Sequence, residues 1–136
     1  MSSILVSLAS SHDNADRATV AMVVAGASAA SGQDTTVFLS ADGAWIGKRG
    51  EAEKIHEEGF APLVDLVAGF VEAGGKLIVC SPCAKKRGIT EDDLIDGAII
   101  AGGAAVVALL ADGAHDGEIV TMDVERGVVY SGLSPS

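Results

Sequence analysis

The residues best suited to chemistry in this chain are its two cysteines, three positions apart in Cys80-Ser81-Pro82-Cys83. They follow Lys76-Leu77-Ile78-Val79, a short apolar run with β-branched residues that reads as a buried strand. Proline is tolerated at the first position of a helix, so Pro82 marks a helix start immediately after that strand. Such a junction leaves backbone N–H groups unpaired and turns the positive end of the helix dipole toward whatever sits there. A thiolate is an anion, and this environment favours it over the thiol. Lys85, Lys86 and Arg87 follow within a turn, a third of the nine Lys and Arg residues, and act in the same direction. The pattern predicts a reactive thiol site with Cys80 as primary nucleophile, Cys83 as assisting or resolving thiol, and Ser81, Lys85 and Arg87 in support.

Other readings of the same residues differ in chemistry. A free cysteine at a strand end is often simply buried, and the pair would then only pack. Two cysteines supply half of a zinc cage, which His12 and His56 would have to complete; no second tight ligand pair is present, and no metal is expected. His12, beside Asp13, is either a proton partner for a thiol or a polar residue of a helix-cap region. His56 reads as solvated, and Lys85 to Arg87 as an exposed face balanced by Glu91, Asp92 and Asp93. Trp45 either walls the site, sits at a subunit contact or anchors its loop. Nucleotide binding is weakly supported. No Gly-x-Gly-x-x-Gly or Walker loop follows the first strand, and Ser10 to Asn14 carries Asp13 where a phosphate would approach. No cofactor is expected.

The elements that position the cysteines alternate along the chain. Ser3 to Ala9 is a compact apolar strand, followed by a polar loop in which Asp13 or Asn14 caps a helix from Ala15 to Ser31. Ala18, Met22, Ala25 and Ala29 share one stripe of that helix, a face of small residues that packs closely. Thr35 to Leu39 is a second strand. Ala41 to Phe60 reads as a long loop with one short polar helix. Pro62 opens a helix with Leu63, Leu66, Val67, Phe70 and Val71 on one face, ended by Gly74-Gly75. After the cysteines, Thr90 with an acid three residues on signals a short helix. A strand follows from Ala98 to Ala101, then a helix from Ala104 to Ala111 closed by Gly113. Glu118 to Asp123 is a fifth strand, Glu125-Arg126-Gly127 a turn, and Val128 to Tyr130 a short antiparallel edge strand. Alternating strands and helices predict an α/β domain with a largely parallel five-stranded sheet, spanning 1–136 as one unit. In such sheets ligands collect beyond the carboxyl ends of the strands. Cys80, His12 and the Trp45-to-Arg49 loop all belong to that edge, and His115 to the opposite one.

Composition sets outer bounds. The chain has 136 residues, enough for one core, and 49% hydrophobic residues with only 4% aromatic, so that core is aliphatic. A net charge of −10 argues against nucleic acid or anionic membrane surfaces as partners. The longest uncharged apolar run, between Asp96 and Asp112, holds 15 residues, whereas a spanning helix needs about 20. No secretory signal is seen, and the cytoplasm is the expected location, where paired cysteines serve as thiols or a redox couple.

The run Val79-Cys80-Ser81-Pro82-Cys83-Ala84-Lys85-Lys86-Arg87-Gly88-Ile89, with Glu91-Asp92-Asp93-Leu94-Ile95-Asp96-Gly97-Ala98 behind it, resembles the DsrE/DsrF-like family of sulfur-relay and peroxiredoxin-like proteins. Thr19 to Ala25, Thr36 to Leu39 and Gly59 to Leu63 extend the likeness, which runs from about Ile4 to Asp123. The resemblance implies a three-layer α/β/α sandwich assembling as a homotrimer or hexamer. It further implies sulfur donor or acceptor proteins, or small thiols, as partners. Relay members carry sulfur as a persulfide on a cysteine eight residues before the Arg-Gly glycine, the spacing of Cys80 from Gly88. A second cysteine at position 83 departs from those members and is similar to a two-cysteine branch. The implied activity is sulfur carriage or transfer on Cys80, or thiol–disulfide cycling with Cys83. The alternatives are a non-catalytic assembly module and a zinc-binding protein.

Overall fold

The computed structural model describes residues 3–116, 118–123 and 128–133, with side chains described for 4–109 and 111. The strands are β1 (Ser3–Leu8), β2 (Asp34–Leu39), β3 (Lys76–Cys80), β4 (Ala98–Ala101), β5 (Glu118–Asp123) and β6 (Val128–Leu133). The helices are α1 (Ala15–Ala30), α2 (Leu63–Glu72), α3 (Ser81–Lys86) and α4 (Gly103–Asp116). The fold is mixed α/β around a parallel sheet. Its strand order is β4-β3-β2-β1-β5-β6, with β6 antiparallel to β5 and the other neighbours parallel.

Side chains alternate across a strand, so each strand contributes one set to each face. Val6 and Leu8 of β1 align with Val37 and Leu39 of β2, which align with Leu77 and Val79 of β3. These six lie in one buried cluster with Ala18, Met22 and Ala25 of α1 and Leu63, Val67 and Phe70 of α2. The small-residue stripe of α1 lets it approach closely, and Asn14 caps it by accepting the Arg17 N–H at 3.1 Å. Burying each large side chain of this set contributes about 2 kcal/mol. That face of the sheet is the core on which the carboxyl edge stands.

Three expectations are corrected. The 41–60 segment forms two 3-10 turns, Ala41–Gly47 and Ala52–Lys54, and the first is not polar: Gly43, Ala44, Ile46 and Gly47 are buried. The apolar Ala44-Trp45-Ile46 run tucks under the sheet edge, where Gly47 faces Val79, Leu39 and Leu94. The helix expected after Thr90 is a single 3-10 turn, Glu91–Asp93, capped by the Asp93 carboxylate, whose Oδ2 accepts from both the Thr90 N–H and the Thr90 hydroxyl. The last helix runs through Gly113 to Asp116, because a glycine costs a helix about 1 kcal/mol without ending it. The Glu125-Arg126-Gly127 turn lies outside the described residues. No helix among the described residues is long and apolar enough to cross a membrane.

Candidate functional site

Cys80 is the last residue of β3 and the cap of α3, and it lies opposite Ala101 at the end of β4. Pro82 sits in the first turn of α3 with its φ preset and no N–H to satisfy. The helix stops after six residues because Gly88 takes φ 68°, which places the Ile89 N–H on the Ala84 carbonyl at 2.9 Å and the Gly88 N–H on the Lys85 carbonyl at 3.2 Å. Ile89 is buried behind that turn and anchors the far end of α3 in the core.

Both cysteines are free and half-buried. Their sulfurs are 2.8 Å apart, the Cys83 thiol donating to Cys80. From the other side the Ala41 main-chain N–H donates to Cys83 Sγ at 3.2 Å. Ala41 holds φ 48°, the only non-glycine residue with positive φ among the described residues. The Arg87 guanidinium donates to the Cys83 carbonyl at 3.2 Å and so bridges back along α3.

The loop that presents Ala41 is tied to the sheet. The Ser40 N–H donates to the Leu8 carbonyl at 3.0 Å, and the Gly43 N–H to the Ser40 carbonyl at 2.8 Å. The Ser11 hydroxyl sits 2.6 Å from the Asp42 carbonyl oxygen and 2.8 Å from Asp42 Oδ2, which also accepts the Asp13 N–H at 3.2 Å. Burial opposes the charged form of Asp42. Hydrogen bonds from Ser11 and Asp13 and the charge of His12 outweigh it, so the carboxyl lies below its ordinary value. Asp42 thus acts as an ionised clamp between the loops after β1 and β2.

Electrostatics at Cys80 correct the sequence expectation of a thiolate held by the helix start. Burial pushes the Cys80 thiol above its ordinary value, and the hydrogen bond and charge of Cys83 push the same way. The Cys83 amide and the Arg87 charge pull down but less strongly. A six-residue helix has a small dipole, and a second sulfur in contact makes a second anion there costly. At neutral pH Cys80 therefore holds its proton.

The other expected site residues scatter. Ser81 and Lys85 are exposed on α3. His12 is on the expected edge, and its Nε2 is engaged by Glu51 Oε1 at 3.0 Å. Glu51 also takes the Lys54 ammonium at 2.7 Å, which together with His12 holds its carboxyl below the ordinary value despite burial. His56 Nε2 lies 2.9 Å from the Phe60 carbonyl. The two histidines required for a zinc cage are thus engaged elsewhere, and among the described residues no three His, Cys, Asp or Glu side chains converge as a metal site. Trp45 packs against the core with Lys48 Nζ 5.5 Å from its ring centre. Sequence reasoning missed Ala41, Ser11 and Asp42. The Asp42-Gly43 pair is a turn signal, but nothing in the sequence distinguishes the Ala41 N–H from any other.

A sequence model of the DsrE/DsrF-like family matches residues 2–115. An uncharacterised protein of Methanocaldococcus jannaschii is 35% identical over 89 residues, 65% of this chain and 32% of that protein. The chain thus spans about a third of that relative's length. An uncharacterised protein of Methanopyrus kandleri is 30% identical over 86 residues, 63% of this chain and 68% of its own length. In three dimensions the chain is similar to the ychN protein from E. coli, with TM-score 0.72 and 18% identity, covering 90% of this chain and 100% of that one. It is also similar to a protein of unknown function from Methanobacterium thermoautotrophicum, with TM-score 0.65 and 15% identity over 83% of this chain and 95% of the other. At these identities the structural likeness speaks to the fold alone.

Proposed function

The chain belongs to the DsrE/DsrF-like family, and from that membership we propose a cytoplasmic thiol protein that carries sulfane sulfur on Cys80 with Cys83 assisting. The observation that carries the reading is the contact itself: two free, half-buried sulfurs 2.8 Å apart at the carboxyl edge of a parallel sheet. A lone carrier thiol needs no neighbour, whereas a pair in contact can also unload.

In the loading step the Cys80 sulfur, having given up its proton, attacks the outer sulfur of a donor persulfide. The donor S–S bond breaks, a Cys80–S–S bond forms and the donor leaves as its thiolate. In the unloading step Cys83, as thiolate, attacks Cys80 Sγ and expels the outer sulfur as hydrosulfide. The two cysteine sulfurs are oxidised to a disulfide while the departing sulfur is reduced, and an external dithiol then reopens the bridge. Arg87, fixed to the Cys83 carbonyl, keeps a positive charge beside the anionic states. Without a sulfur donor the same pair would cycle by thiol–disulfide exchange, oxidised by an external disulfide, which leaves as two thiols, and reopened by an external dithiol.

The reading extends to assembly, with residues 1–136 forming one domain of a homotrimer or hexamer. The reading takes the crossovers between parallel strands as right-handed, the general rule, so that with this strand order α4 would lie opposite α1 and α2 in a three-layer sandwich. Ile99 on edge strand β4 is 59% exposed and Val107 on α4 is 65% exposed, apolar area suited to burial against another copy. The partners are sulfur donors or acceptors, protein or small thiol, rather than nucleic acid or membrane.

Incubation with glutathione persulfide and intact-mass measurement tests the function. One added sulfur is expected in Cys83→Ser and none in Cys80→Ser. Wild-type protein is expected to release sulfide and finish as the disulfide. Failure of both wild type and Cys83→Ser to take up sulfur would refute carriage.

A further inference from the structure

The Ala41 N–H donates to Cys83 Sγ from outside α3, and it reaches Cys83 rather than the residue expected to be the nucleophile. It arrives from another element, across 42 positions of sequence, on a residue held at φ 48°. Alanine is disfavoured there, so the conformation has to be imposed. The restraints are visible: Ser40 on Leu8 behind it, and Asp42 clamped by Ser11 and Asp13 in front. Both neighbours of Ala41 are therefore anchored to the end of β1 and the loop after it, and the amide between them is aimed at the sulfur.

We propose that the Ala41 amide is the anion donor of this site: it stabilises Cys83 as the thiolate that attacks Cys80, and the Ser11–Asp42 clamp positions it. This deepens the reading of the pair as a sulfur-carrying couple and rests on it for the identity of the attacked bond. The geometry divides labour between the sulfurs. Cys80 holds the cargo, and the charge that Cys83 takes on when it attacks is met there by a fixed dipole. In the step itself Cys83 supplies the electron pair and Cys80 Sγ receives it. The outer sulfur leaves as hydrosulfide. The N–H stays in place and does not transfer its proton.

The test removes the donor without touching a side chain. Ala41 is replaced by lactic acid, so that an ester oxygen stands where the N–H was, in a Cys80→Ser background that leaves Cys83 alone. The rate of Cys83 alkylation by iodoacetamide is followed against pH. A hydrogen bond to a charged group corresponds to about tenfold or more in the thiolate equilibrium, so the midpoint is expected to rise by about one pH unit or more. Ser11→Ala, which loosens the clamp, is expected to move it in the same direction by less, and decides the question if the ester protein does not fold. Circular dichroism spectra identify variants that have folded. An unmoved midpoint in the folded ester variant, or in Ser11→Ala if only that folds, overturns the inference. The assay uses no persulfide, so its result stands apart from the sulfur-uptake experiment. Uptake without a midpoint shift rejects Ala41 alone, and a shift without uptake rejects sulfur carriage alone.

Discussion

Gly43→Ala probes the architecture that holds Ala41 in place. An added Cβ would fall on the Leu8 carbonyl oxygen, with the Leu8 carbonyl carbon at 3.1 Å and the Ser10 nitrogen at 3.3 Å. All three are main-chain atoms at the end of β1, which lies between β2 and β5, so no flexible side chain can yield. The turn starting at Ala41 has to lift instead. Lifting it weakens the Ser40-to-Leu8 and Gly43-to-Ser40 hydrogen bonds, each worth about 1 kcal/mol, on top of a steric cost of about 1–3 kcal/mol. We expect a loss of about 3 kcal/mol, which for a chain of this size lowers Tm by roughly 12 °C. Because Ala41 rides on the same turn, Cys83 alkylation at neutral pH should slow as well, at temperatures where the variant is fully folded. Thermal denaturation by circular dichroism and timed alkylation measure the two effects. A Tm drop under about 4 °C with unchanged Cys83 reactivity would refute the claim that this glycine sets the loop.

Gly26→Ala in α1 is the opposite case: an added Cβ meets nothing within 4 Å, so we expect a gain of about 0.5–1 kcal/mol in urea unfolding. The raised proton affinity of Cys80 stabilises the fold fully below the ordinary thiol value of 9.0, and this contribution is lost as pH rises through the higher folded value. Urea midpoints should fall across that window, and less so in Cys80→Ser. Ile99→Asp places a charge on the exposed edge of β4 and is expected to split the proposed oligomer into monomers, read by light scattering after size exclusion, with little change in the far-ultraviolet spectrum.

Much of the framework was legible in local pattern. The apolar runs at Ile4 to Leu8 and Leu77 to Val79 read as buried strands because parallel strands are covered on both faces. Ala18, Met22, Ala25 and Ala29 read as one helix stripe, and all four are buried. Family membership followed from the run around Cys80 and Cys83, because motif identity is a property of sequence. The 41–47 segment was misread because its glycines and alanines look like loop until a sheet edge is present to bury them.

The sequence by itself determined which two thiols the chain carries, that a strand delivers them and a helix follows, and therefore at which edge they meet solvent. Only the tertiary structure decided which sulfur receives a hydrogen bond from outside its own helix, and that Cys80 holds its proton more tightly than a free thiol. The physical reason is that hydrogen bonds, burial and charge act through space. The Ala41 N–H lies 42 residues from Cys83 along the chain and 3.2 Å from its sulfur in the fold.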